Sequence, residues 1–197
     1  MNNSLLYDKK TACISVILMV LVSVFILGGN GLRAERRRIE GIFMGQNELG
    51  IDNQQEAILI LTNAANLLVV ADRYLERSPD AERIRSIMDS IAVPLTRVAH
   101  YDFTSVAEIQ FIVVDRILPN VRALLDTMEG VDVSPASAAH LVEIDGNIRG
   151  AVRRIGLNDS YRSEAEAFNR LLRNPYTAVI ATVRGISELP VTALIFD

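Results

Sequence analysis

The two histidines are the residues best suited to metal binding or acid–base catalysis in this chain, which holds a single cysteine. His140 and Glu143 lie three positions apart, a spacing that puts both side chains on one face of a helix. Di-iron bundle proteins use the reverse order, Glu-x-x-His, in two copies with two further glutamates. His100 is the other histidine, and neither histidine lies in such a motif. We therefore interpret His140 as a surface histidine and predict no metal centre.

Asp115 is the acidic residue with the most apolar neighbours, since it lies within the run Phe111–Leu118. A carboxylate buried there would have a raised pKa and could act as an acid or base. The helical stripe of this segment uses Val113 and Ile117, so we interpret Asp115 as a solvated side chain. The chain also lacks a phosphate-binding loop, a dinucleotide-binding glycine motif and a nucleophile elbow. The prediction is a protein that is not an enzyme and holds no cofactor.

Asn63 and Asn66 are polar positions in the stretch Ala57–Ala71, which is otherwise apolar apart from Thr62. We expect these amides to be buried and to bridge to a neighbouring helix, which would fix its register. Contact with a ligand is the alternative. The stretch is short for a membrane span, so it predicts the central helix of a bundle, with a second membrane segment as the alternative.

The run Thr11–Leu32 carries no charged residue. As a helix it would be roughly 33 Å long, enough to cross a hydrocarbon core of about 30 Å. A cleaved secretory signal is the alternative, because Lys9 and Lys10 precede the run. The site Leu32-Arg33-Ala34 matches a small-residue cleavage site poorly. We therefore predict an uncleaved single-pass anchor, which places the protein in the cell membrane.

A basic collar follows the anchor and is made of Arg33, Arg36, Arg37 and Arg38. It outweighs Lys9 and Lys10 on the other side, so the positive-inside rule favours a cytoplasmic C-terminal domain. The formal net charge of -4 excludes a strongly basic protein that coats nucleic acid. The predicted partners are the membrane, unidentified proteins and a second copy of this chain.

Apolar residues at helical spacing recur along the rest of the chain, and strand-like alternation does not compete with them. Ser78-Pro79 and Ser134-Pro135 predict helix starts, and Pro94 and Pro119 predict kinks. The sequence predicts an all-α fold, an N-terminal transmembrane helix followed by an antiparallel bundle of about four long helices. The predicted limits are a tail at 1–10, the anchor at 11–32, the collar with a glycine-rich elbow (Gly41, Gly45, Gly50) at 33–52, and the bundle at 53–197.

The chain also resembles the LemA family of bacterial membrane proteins. Asn66-Leu67, followed by Val70 and Tyr74, is similar to the family's asparagine-leucine-valine segment and its tyrosine. Phe168-Asn169, Asn174-Pro175, Ala178–Ala181 and Gly185 resemble the family's C-terminal run, with Phe168 standing where the family usually has tyrosine. The resemblance implies an antiparallel four-helix bundle on a membrane anchor, a short N-terminus outside the cell, no known cofactor and no defined activity. The positions that carry it are Asn66, Leu67, Tyr74, Phe168, Asn169, Pro175, Ala181 and Gly185.

Two functions remain open at the level of the sequence. The first is a non-enzymatic, membrane-tethered module for protein interaction or scaffolding, because many helical faces are apolar and catalytic residues do not converge. The second is a sensory or ligand-binding bundle exposed outside the membrane. In that case a small molecule would lie between kinked helices near Pro94 and Pro119.

Overall fold

The computed structural model describes residues 3–45, 52–97 and 103–191, and these residues form helices and their connections without a strand. The predicted all-α fold, an N-terminal apolar helix followed by a helical bundle, is confirmed. His100 lies outside the described residues. The helices are α1 (Asn3–Met44), α2 (Asn53–Tyr74), α3 (Ala81–Arg97), α4 (Val106–Ile109), α5 (Leu118–Met128), α6 (Pro135–Gly156), α7 (Asp159–Leu172) and α8 (Pro175–Arg184), and a π-helical segment, Gln110–Ile117, joins α4 to α5.

Helix α1 continues through the position where we predicted a glycine-rich elbow. It runs past Gly41 to Met44, so the predicted interruption at Gly41 is wrong. Ile39 and Phe43 are buried, and the side-chain amide of Asn53 donates to the Phe43 carbonyl at 3.0 Å. Such packing outweighs the cost of about 1 kcal/mol for a glycine in a helix. The remainder of the predicted elbow, residues 46–51, lies outside the described residues.

Short polar side chains begin several of the helices, and the start of α6 at Ser134-Pro135 is one that the sequence predicted. Ser134 accepts from the backbone N–H of Ser137, directly before the first residue of α6, Pro135. Ser78 accepts from the backbone N–H of Asp80 in the turn before α3, and α3 begins at Ala81, two residues after the predicted start at Pro79. Each bond satisfies an amide that has no partner within the helix or turn. The other side-chain caps are Asp52 for α2, Ser105 for α4 and Asn174 for α8.

The chain divides into two compact units. The first, which we call the bundle unit, comprises residues 40–163 and 190–197 and contains α2 to α6. The second, which we call the anchor unit, comprises residues 1–39 and 164–189 and contains α8 with most of α1 and α7. The predicted bundle limits therefore include a segment, 164–189, that groups with the N-terminal helix.

Within the bundle unit, α2 and α6 pack antiparallel. Glu56, near the start of α2, pairs with Arg154 near the end of α6. Tyr74, at the end of α2, bonds to Ser134 at the start of α6. Helix α3 packs against both α2 and α5 and completes the bundle. Its fully buried side chains include Ile60, Leu61, Leu67, Ile84, Ile91, Ile117, Leu124, Ile144 and Ile148.

Two helical stretches among the described residues are long and apolar enough to cross a membrane, Thr11–Met44 and Asn53–Arg77. Half of the apolar window of the second stretch is buried within the protein, against little of the first. Burial of this kind is typical of a bundle's core helix. We therefore treat α2 as the central helix of the bundle unit and α1 as the candidate anchor.

Candidate functional site

An open groove of about 600 Å³ lies in the bundle unit between α3 and the π-helical segment. This volume falls within the range of about 300–1,000 Å³ found for small-molecule sites. Both walls mix apolar and polar side chains. The lining residues are Ser86, Asp89, Ser90, Val93 and Pro94 from α3, Phe111, Ile112 and Arg116 from the π-helical segment, and Asn120 from α5.

Two helix irregularities form the walls of this groove. Pro94 lies inside α3, where a proline removes one backbone hydrogen bond and crowds the preceding turn. On the opposite wall the backbone N–H of Leu118 donates to the carbonyl of Val113, five residues earlier. The wider π turn ends just before Pro119, which cannot donate to any carbonyl. The sequence predicted a kink at each proline, and Pro94 lies in the wall of this groove.

The groove presents an aromatic ring beside charges of both signs. Phe111 is 50% exposed, and the guanidinium carbon of Arg116 lies 5.1 Å from the centre of its ring. This distance suits a cation–π interaction. Asp89 lies on the wall formed by α3, and the side-chain amide of Asn120 donates to the Arg116 carbonyl at 2.6 Å. The arrangement can bind an apolar group together with polar ones.

The acid–base candidates from the sequence do not meet in this groove. Asp115 is exposed and accepts from the Gln110 side chain at 3.0 Å, so its interpretation as a solvated residue is confirmed. His140 is exposed, with its Nδ1 3.3 Å from a carboxylate oxygen of Glu143; it is the surface histidine that we predicted. In the described ranges, no three His, Cys, Asp or Glu side chains form a group that could hold a metal ion.

The two asparagines of α2 have different environments. Asn63 is buried, donates to the Leu59 carbonyl at 2.8 Å, and accepts from Asn147 of α6 at 3.4 Å. Asn66 is exposed, so the expectation that it is a buried bridging amide is wrong. The reason is geometric, because the face that α2 buries includes Asn63 and Leu67 and leaves Asn66 outside it.

Tyr74 joins the ends of α2 and α6, outside the groove. Its hydroxyl lies 3.1 Å from Ser134 Oγ and 2.8 Å from Ser137 Oγ, and it accepts from the backbone N–H of Ser134 at 3.1 Å. The hydrogen bonds with these two serine side chains lower the pKa of Tyr74 to about 8. Tyr74, one of the positions that carry the resemblance, therefore links the end of α2 to the start of α6.

The C-terminal positions of the resemblance organise the anchor unit. Phe168 and Ala181 are buried, and Pro175 is the first residue of α8. The side chain of Asn169 donates to the Leu189 carbonyl and accepts from its N–H, both at 2.8 Å. Gly185 ends α8 with φ of 63°, a left-handed conformation that favours glycine. All of these residues therefore stabilise the local structure of the anchor unit. The spacing of residues in the sequence does not reveal that Asn169 bonds to the backbone of Leu189, 20 residues away.

The collar arginines contact other residues of the anchor unit. Arg33 donates to the Arg184 carbonyl at 2.8 Å. Arg36 donates to Ser187 Oγ at 2.9 Å. Arg38 pairs with the carboxylates of Glu35 at 2.7 Å and Glu164 at 2.8 Å, and its hydrogen bond to Glu35 lowers the pKa of that carboxyl. Arg37 is exposed. The collar therefore binds protein groups as well as flanking the apolar run.

The structure is that of a helical bundle with an apolar N-terminal helix and an open groove between α3 and the π-helical segment. No family model, curated protein or solved structure matches this chain. The resemblance to the LemA family stays a prediction, and the function is argued below from the geometry of the groove and of α1.

Proposed function

We propose that this protein is a membrane-tethered, non-enzymatic binding module that presents the groove between α3 and the π-helical segment to a partner protein. The observation that carries the proposal is the half-exposed ring of Phe111, placed beside Arg116 and across from Asp89. Aromatic residues and arginine dominate the energetics of protein interfaces when they are surrounded by less critical contacts. The groove offers both residue types within one cleft.

The tether is the apolar part of α1. All side chains from Thr11 to Val24 are exposed, although most are large and apolar, such as Ile17, Leu18 and Leu21. A continuous apolar surface of this length is covered by lipid when a helix spans a bilayer. The resemblance to the LemA family supports the same proposal, because it implies a bundle on an anchor without a cofactor.

A comparison of groove variants tests the proposed interaction. The full chain is crosslinked in membranes, extracted in detergent and compared with Phe111→Ser and with the control Val142→Ser. Val142 is 73% exposed on α6 and lies outside the groove. We expect a partner that is captured by the wild type and by Val142→Ser and is lost with Phe111→Ser. Equal capture by all three forms would contradict the proposal.

A second candidate function, binding of a small molecule, is favoured by the volume of the groove and by the position of Pro94 in its wall. A ligand with an aromatic or aliphatic group and a charge of either sign would fit Phe111, Arg116 and Asp89. Thermal-shift measurements on the full chain with a set of such compounds test this function. Stabilisation that disappears in Phe111→Ser would favour it over a protein partner.

The compartment of the bundle unit separates these two functions. A single cysteine placed at Val142 in a Cys13→Ser background reports accessibility, because Cys13 is the only native cysteine. With the cytoplasmic orientation that we propose, an impermeant maleimide leaves this cysteine unlabelled in intact cells and labels it after lysis. Labelling in intact cells would place the bundle unit outside and favour the ligand-binding function.

A further inference from the structure

Helix α8 presents a stripe of exposed, mostly apolar side chains. Its residues from Pro175 to Val183 carry no charge. Tyr176 is 84% exposed, Val179 54% and Val183 67%, and their spacing places them on one side of the helix. Apolar side chains that line up in this way, rather than scatter singly, mark a surface that contacts something other than water.

The packing of α8 within the anchor unit locates this stripe. A Cβ atom added to Gly28 of α1 would lie 3.1 Å from Ile180, and one added to Gly29 would lie 2.7 Å from Arg184. The two glycines therefore allow α8 to approach α1 closely. Arg184 also donates to Asn30 Oδ1 at 2.8 Å, and Arg33 donates to the Arg184 carbonyl at 2.8 Å. Helix α8 thus meets α1 over the last turns of the apolar run.

This meeting point has a defined depth relative to the collar. Gly28 precedes Arg33 by little more than one helical turn, or about 7.5 Å along the axis. Ile180 also lines a shallow apolar surface together with Met19, Val20, Ser23, Val24, Leu27 and Gly28 of α1. The apolar side of α8 is therefore continuous with the apolar surface of the candidate anchor. Helices that lie in a membrane interface bury their apolar face by about 5–10 Å, a comparable depth.

We propose that α8 is a second membrane-contacting element, which lies in the bilayer interface beside the anchor with Tyr176, Val179 and Val183 in contact with lipid. The proposal rests on the anchor assigned to α1 under the proposed function. Continuity with the apolar run and the absence of charge from Pro175 to Val183 favour lipid over a protein as the occupant. A tyrosine at the edge of the stripe suits the interface, because its ring is apolar and its hydroxyl is polar.

Single tryptophan reporters test this placement, because the chain has no tryptophan of its own. The reporters are Tyr176→Trp and Val179→Trp on α8, Leu21→Trp in the anchor and Val142→Trp in the bundle unit. Each full-length variant is reconstituted in phosphatidylcholine–phosphatidylglycerol vesicles whose acyl chains are brominated either near the headgroup or near the bilayer centre. Bromine quenches only a tryptophan that reaches its depth.

We expect both α8 reporters to be quenched, and more strongly by shallow than by deep bromines. We expect Leu21→Trp to be quenched most by deep bromines and Val142→Trp by neither. If Leu21→Trp is quenched while both α8 reporters behave as Val142→Trp does, the inference is overturned and the anchor stands. Blue-shifted α8 reporters without quenching would also overturn it, since a protein surface would then cover the stripe. If Leu21→Trp is not quenched, the proposed anchor itself fails, and the inference falls with it.

Discussion

The ion pair between Glu56 and Arg154 offers the sharpest test of how α2 and α6 are held together. Arg154 donates from Nε to Oε1 of Glu56 at 2.6 Å and from Nη2 to Oε2 at 2.8 Å. This two-bond geometry is the strong form of a charged hydrogen bond. The Glu56 side chain is only 16% exposed, whereas that of Arg154 is 41% exposed. The hydrogen bonds to Glu56 raise the pKa of Arg154 further above its ordinary value.

The expected coupling energy follows from this geometry. A hydrogen bond to a charged group contributes about 1.5–3 kcal/mol when it is buried. Solvent around Arg154 reduces that contribution towards the value of at most about 1 kcal/mol found for exposed pairs. We therefore expect a coupling energy of about 1–2 kcal/mol between the two side chains. Arg154→Met should be more destabilising than Glu56→Gln, because it leaves the largely buried Glu56 carboxylate without its partner.

A double-mutant cycle measures this coupling. Urea unfolding of the full chain in detergent micelles is followed by far-ultraviolet circular dichroism for the wild type, both single variants and the double variant. Asp145 and Arg149, an exposed pair within α6 at 2.8 Å, provide a matched control with an expected coupling of about 0.3–0.5 kcal/mol. Additivity of Glu56→Gln and Arg154→Met within about 0.3 kcal/mol would refute the reasoning.

Three further predictions concern single residues. The pKa of Tyr74 is about 8 in the folded protein, below its ordinary value of 10.0. Between these two pH values the native state therefore binds fewer protons than the unfolded state. The free energy of unfolding should rise with pH across this window in the wild type but not in Tyr74→Phe. Because the chain has five tyrosines, the difference in phenolate absorbance between the wild type and Tyr74→Phe measures this pKa, and a value near 10.0 would contradict the prediction. Asn169→Ala should cost about 2 kcal/mol and speed hydrogen exchange at the Leu189 amide, because two buried hydrogen bonds are lost; unchanged exchange would show that Asn169 does not hold this segment. Gly146→Ala should stabilise α6 by about 0.5–1 kcal/mol, since nothing lies within 4 Å of the added Cβ. Gly185→Ala should destabilise the protein by about 1 kcal/mol, because alanine disfavours the left-handed φ at this position. Urea midpoints that shift in the same direction for both variants would contradict this pair of predictions.

The features that were predictable from the sequence depend on residues close to one another in the chain. Apolar residues at helical spacing gave the all-α fold, and Ser134 before Pro135 predicted the start of α6. The stripe through Val113 and Ile117 correctly left Asp115 in solvent. In each case the spacing of side chains along one helix is sufficient, because it determines which face of that helix is apolar.

The features that were not predictable depend on contacts between distant segments. The local cost of Gly41 favoured a break in α1, but the burial of Ile39 and Phe43 outweighs it. The environment of Asn66 depends on which face of α2 packs against its neighbours. The groove itself requires a π turn opposite Pro94. A proline in the sequence indicates that its helix is perturbed, but it does not indicate how the backbone hydrogen bonds of that helix rearrange, so the π turn before Pro119 was not predictable.

The basic edge of the anchor shows how tertiary structure changes a rule based on sequence. Counting charges near the span includes Arg38, whose charge is shared with the carboxylates of Glu35 and Glu164. The same count misses Arg184, which is distant in sequence but donates to Asn30 beside the collar. Arg33, Arg36, Arg37 and Arg184 leave this edge of the anchor unit basic, which supports the cytoplasmic orientation that we propose. Arg184 is also the last residue of α8, so this arginine lies at the end of the helix that we propose to contact lipid.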